Sequence, residues 1–174
     1  MSVAEMGMRL AEWARPIGLA PRVVSDDEVV LMDGGGELRW YVRNSSGRIT
    51  VGTAQRSATE RLRMATEDVL DAERYLTVTF GRSTRQVLFP KVHLLRLPWE
   101  SEGVAKGFAV VPSDDGDLPA VVLELGIERA RFSNILVPYE AVPFTIYANT
   151  SITDLRESML DRFGKPALAA YVDP

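Results

Sequence analysis

The 174-residue chain has no cysteine and one histidine, His93. Without thiols it can form no disulfide framework, thiolate zinc site, iron–sulfur cluster or cysteine nucleophile. A Ser–His–Asp triad or a two-histidine metal site must pass through His93 or be absent. No stretch approaches the roughly 18 apolar residues of a membrane span. The first ten residues include Glu5 and Arg9 and lack the apolar centre of a signal peptide, so the expected location is cytoplasmic. A basic surplus is missing too: net charge is −4 and the pI about 5.1, which speaks against a general nucleic-acid binder. Internal repeats and low-complexity segments are absent.

What is present is an ordinary globular composition, 46% hydrophobic and 25% charged. A chain of this length forms one domain, taken as residues 1–174, and buries about two-thirds of its unfolded surface without a staple. Arginine outnumbers lysine 17 to 3, which points to a GC-rich bacterial coding bias. Residues 101–128 hold one basic group, Lys106, against six acidic ones: Glu102, Asp114, Asp115, Asp117, Glu124 and Glu128. That segment produces the whole charge imbalance.

Ser2 and Glu5 have capping-box spacing, and Val3, Met6, Leu10, Trp13 and Ile17 form one apolar stripe, so a first helix runs to about Arg15, before Pro16 and Gly18. The period then changes to two. Residues 28–33, the alternating Leu38, Trp40 and Val42, and Ile49 with Val51 predict an antiparallel meander with turns at 34–36 and 44–47. A second capping box at Ser57–Glu60 predicts a helix through Phe80 with Gly81 as its C-terminal cap, and residues 82–89 form a short further helix. Strands are expected at 106–111, 120–125, 131–137 and 142–148, and a last helix from Ser151 with Asp154 in its first turn. Strands that cluster rather than alternate with helices give an α+β fold with antiparallel sheet and N-terminal, central and C-terminal helices.

No catalytic constellation emerges. His93 lies in an apolar stretch with no orienting carboxylate in view, and Gly34–Gly36 leads into a strand rather than a helix, so it reads as a hairpin turn and not a phosphate cradle. Asp114, Asp115 and Asp117 do not match a calcium loop; they read as a solvated hairpin loop or an acidic contact surface. Trp99 beside Glu100 and Tyr139 beside Glu140 fall outside the apolar stripes and are the remaining candidates for partner contact. Trp13 and Trp40 are assigned to the core. Arg56, Arg61, Arg63 and Arg74, interleaved with Glu60, Glu67, Asp71 and Glu73, read as a salt-bridged exposed face and not a nucleic-acid stripe. The residues thus favour a binding protein with no catalytic, cofactor or metal site over an enzyme. The alternative is a small-molecule-binding or enzymatic domain with a pocket near His93.

Four segments together carry a resemblance: residues 10–19 (LAEWARPIGL), 36–42 (GELRWYV), 73–76 (ERYL) and 152–155 (ITDL). With them the chain resembles the actinobacterial immunity-factor (antitoxin) family that neutralises the tuberculosis necrotizing toxin and its relatives. The resemblance implies a cytosolic inhibitor, neither an enzyme nor a cofactor binder. It would form a tight complex, expected to be 1:1, with a cognate NAD-glycohydrolase toxin domain and block that enzyme's NAD pocket. The resemblance supplies no contact positions. The expected partner-binding residues, Trp99, Glu100, Asp114, Asp115, Asp117, Tyr139 and Glu140, come from this sequence itself.

Overall fold

The computed structural model describes residues 1–90, 94–133 and 140–173. Helix α1 spans Val3–Ala14. The Ser2 hydroxyl accepts the Glu5 N–H at 3.1 Å and the Glu5 carboxylate accepts the Ser2 N–H at 2.8 Å, which closes the expected capping box. A 3-10 turn containing Pro16 follows, and Gly18, at φ +77°, ends it. Gly7 has a packing role: a Cβ there would come within 2.7 Å of Val29, so its absence lets the helix rest on the sheet.

Eight strands follow: β1 (Ala20–Ser25), β2 (Glu28–Met32), β3 (Leu38–Ser45), β4 (Arg48–Gln55), β5 (Arg61–Thr66), β6 (Phe108–Pro112), β7 (Ala120–Glu124) and β8 (Ile127–Phe132). They form one antiparallel sheet in the order β1-β2-β3-β4-β5-β8-β7-β6. The two hairpin arrays join where Met64 of β5 stands opposite Phe132 of β8. Between the arrays the chain makes α2 (Val69–Leu88), and after them α3 (Ala141–Tyr147) and α4 (Ile152–Leu160). The α+β class with antiparallel sheet and helices at both ends and the centre is therefore observed.

The helices pack on one face of the sheet. Phe80 of α2 meets Trp40 edge-on at 5.5 Å, Tyr75 meets Phe132 at 5.7 Å, and Phe144 of α3 lies 5.2 Å from Phe132. Trp13 is buried and donates its indole N–H to the Thr77 carbonyl at 2.9 Å. Trp40 is only partly buried, packed against the core from the sheet. Among the described residues no helix covers the opposite face. It presents side chains such as Tyr41 and Arg43, with Arg43 4.6 Å above the Tyr41 ring and bonded to Glu28 and Glu60.

Several expectations are corrected. Ser57–Glu60 opens no helix: residues 61–66 are strand β5, and α2 begins after Asp68, whose carboxylate accepts the Leu70 N–H at 2.9 Å. Glu60 instead reaches across Gly52 to Arg43. Gly81 is no cap. The helix continues unbroken to Leu88, and a Cβ at Gly81 would lie 2.6 Å from Met159 of α4. Residues 142–147 belong to helix α3 and Ala148 is its C-terminal cap, so this segment is not a strand. Strand β8 starts at Ile127, earlier than expected, and residues 134–137 of the expected strand lie outside the described ones. Arg61 and Arg63 belong to β5, and Arg63 turns inward to Glu140 rather than lining an exposed helix.

Polar groups lock the layers together. Asp71 is fully buried and accepts from Arg74 at 2.8 Å and from two nitrogens of Arg129 at 2.7 and 3.0 Å. This ties α2 to β8. Buried Arg85 donates to the carbonyls of Ser158, Met159, Asp161 and Arg162 and so satisfies the C-terminal end of α4.

Candidate functional site

The acidic loop after β6 is shaped by one of its own carboxylates. Asp115 accepts the N–H groups of Asp117 and Leu118, both at 3.1 Å. Its second oxygen lies 3.7 Å from Arg131 and 4.0 Å from Arg48 on the helix-free face of the sheet. The backbone N–H donors of Leu118 and Asp117, and then the two arginines, hold its carboxyl below the usual aspartate value. Arg131 in turn forms a two-pronged pair with Glu128, at 2.7 Å for each bond. Asp114 and Asp117 are exposed, and their carboxylates make no hydrogen bond or ion pair among the described residues. The three aspartates therefore divide: Asp115 builds the loop, and Asp114 and Asp117 display its charge.

Beside this chain of charges lies a cleft of about 350 Å³ lined by Arg48, Ala65, Thr66, Glu67, Ile127, Glu128 and Arg129. Its rim leads to the β7–β8 turn, Leu125-Gly126, where Leu125 is 84% exposed and Ile127 74%. Sequence reasoning passed over Arg48, Leu125, Ile127 and Arg131.

The other expected residues sit elsewhere. Trp99 is 45% exposed and Glu100 exposed, ahead of a 3-10 turn at Ser101–Gly103. That turn packs toward α3: a Cβ on Gly103 would meet Pro98 and Val142. Glu140, at the start of α3, accepts the Tyr75 hydroxyl at 2.9 Å and pairs with Arg63, so its carboxylate bridges α2, α3 and β5. Burial and the neighbouring Glu140 charge raise the Tyr75 phenol well above its ordinary value, which keeps it a donor. The Trp99 segment thus lies on the α3 side, whereas the acidic loop reaches over the helix-free face to Arg48 and Arg131. Tyr139 and His93 lie outside the described residues. A second cavity, also about 350 Å³, is walled by Arg82, Arg85, Gln86, Phe89 and residues 94–97. The Arg85 guanidinium there is already engaged by four carbonyls. Among the described residues no cluster of three or more His, Cys, Asp or Glu side chains is placed to hold a metal ion, and no helix is long and apolar enough to cross a membrane.

Comparison with known proteins gives one consistent result. The family described as Immunity protein 61 matches residues 13–167. "Immunity factor for TNT" of Mycobacterium tuberculosis is 22% identical over 179 residues, covering 97% of this chain and 96% of the relative. Its homolog in Mycobacterium bovis matches to the same extent. A solved structure described as Rv3902c from M. tuberculosis shares the fold with a TM-score of 0.78 at 22% identity, covering 91% of each chain.

Proposed function

The chain belongs to the Immunity protein 61 family, and from that membership we propose that it is an antitoxin acting in the cytoplasm by binding a cognate NAD-glycohydrolase toxin domain, one to one, and covering its NAD pocket without turnover of its own. The observation that carries this reading is the match over nearly the whole length to immunity factors for TNT. The chemistry of the site supports it. A pocket that binds NAD must hold a pyrophosphate, which calls for positive charge or helix N-termini. The helix-free face offers a complementary feature in Asp114 and Asp117, held outward by a loop that Asp115 braces. Trp99 and Glu100 form a second contact on the α3 side. Tyr139, outside the described residues, is proposed as a further contact from its sequence alone, and Glu140 supports the α3 side by fixing the start of α3.

The test is titration of the toxin domain's NAD hydrolysis with purified protein. A stoichiometric endpoint at equimolar protein is expected. Full hydrolysis in the presence of excess protein would overturn the reading. The doubly neutralised Asp114→Asn/Asp117→Asn protein keeps the Asp115 brace. It should associate several-fold more slowly at low salt and lose much of the salt dependence of association.

A further inference from the structure

We propose that the tip of the β7–β8 hairpin, Leu125-Gly126-Ile127, is the apolar anchor that enters the toxin's surface, with the neighbouring cleft and acidic loop as its charged rim; this rests on the antitoxin reading above. The first observation is conformational. Leu125 and Gly126 occupy a two-residue turn with φ +50° and +85°, the left-handed pair that Asn-Gly adopts most readily. A γ-branched side chain such as leucine is disfavoured there. The β3–β4 turn, Ser46-Gly47, has the same geometry with a small polar residue in the first place. Folding thus gives no reason for leucine at position 125. Nor does packing: Leu125 is 84% and Ile127 74% exposed, the two most exposed large apolar side chains among the described residues.

The second observation is what surrounds the tip. Ile127 lines the 350 Å³ cleft, and contacts run from adjacent Glu128 to Arg131 and on to Asp115 in the acidic loop. The charge borders the tip on the cleft side, and the acidic loop, which closes the other end of β7, reaches back toward it through Arg48 and Arg131; an exposed apolar point bordered by charge is the anatomy of a protein-binding patch. Charge selects the occupant. A second copy of this chain would bring Asp114 and Asp117 of both molecules toward the same contact, whereas a toxin mouth that binds a dinucleotide pyrophosphate supplies the opposite sign.

The test uses Leu125→Asn and Ile127→Thr in the full chain, with toxin binding followed kinetically and melting measured alongside. Leu125→Asn suits the left-handed turn better, so it should melt at or above the wild-type temperature. It should nonetheless bind at least tenfold more weakly, mainly through faster dissociation. Ile127→Thr keeps β-branching in the strand and should weaken binding similarly. If wild-type protein binds and both variants bind within twofold of it, the anchor assignment falls while the antitoxin reading stands. If wild-type protein itself does not bind the toxin, the antitoxin reading fails first. If the variants abolish a wild-type self-association and leave toxin binding unchanged, the tip serves a second copy and the proposal is overturned.

Discussion

A carboxylate removed from water must be repaid by charge and hydrogen bonds, and Asp71 meets that requirement three times over, with one bond from Arg74 and two from Arg129. Removing it takes the buried counter-charge from both guanidiniums, leaving Arg129 to Glu124, Asn149 and the Ala148 carbonyl and Arg74 to Asp68 and the Thr150 carbonyl. Asp71→Ala should therefore cost about 3–5 kcal/mol in chemical denaturation, and a loss below 1 kcal/mol would show that water replaces the carboxylate. The acids nearer the surface act differently. Backbone N–H groups lower the carboxyls of Asp115 and Asp161, and their partners Arg131 and Asn149 lower Glu128 and Glu124. A carboxylate whose folded pKa is depressed stabilises the fold above its unfolded value, about 4, and that stability disappears as pH falls through the folded value. The melting temperature should be level near neutrality and fall below about pH 4; Asp115→Asn/Asp161→Asn should flatten that descent. At this same scale the candidate site is only partly legible in the sequence. Composition pointed to the acidic loop, but only coordinates separate the bracing Asp115 from Asp114 and Asp117. The Leu125-Gly126 turn was hidden because leucine stands where a hairpin signal has asparagine.

The elements show where periodicity is decisive and where context overrides it. Helices α1 and α4 were readable because Ser2 and Ser151 really cap them, the latter accepting the Asp154 N–H at 3.0 Å. Ser57–Glu60 has the same spelling, and Leu62, Ala65 and Val69 happen to continue at helical spacing. Yet β5 alternates Arg61, Leu62, Arg63, Met64, and the edges of β4 and β8 are there to pair with it. Residues 142–148 read as a strand because they are apolar and rich in strand formers, yet they build helix α3 and its cap. Pro143 carries the contrary signal, since it fits the first turn of a helix and would break a sheet ladder. Strand β1 gave no alternating pattern because nearly all of it faces solvent. The two caps now make a discriminating pair. Asp68→Ala should lower stability by about 1 kcal/mol, whereas Ser57→Ala should leave the melting curve unchanged. The reverse ranking would return the start of α2 to residue 57.

For the whole molecule, a sheet covered by helices on one side leaves two edges and a face to manage. The edges are blunted. On β6, the bonds Leu125 N–H to Gly107 O at 2.9 Å and Ser113 N–H to Pro119 O at 2.8 Å set the alternation. Phe108, Val110 and Pro112 therefore aim their backbone groups away from β7. The Phe108 N–H is already donated to Ala105 O at 3.1 Å, and Pro112 has none, so within β6 only Val110 offers an outward donor. The opposite edge, β1, carries Pro21 at a position where a ladder donor would otherwise stand. Neither edge offers an uninterrupted row of donors to a further strand. Pro112→Val should expose this logic. It adds an outward N–H two residues from Val110 without disturbing the bonds to β7, so monomer melting should hold while sedimentation shows self-association that grows with concentration. Wild-type protein over the same range should not shift. A variant that sediments as the wild type does would mean that edge protection comes from elsewhere, from the Trp99 segment beside α3 or from the twist of the sheet.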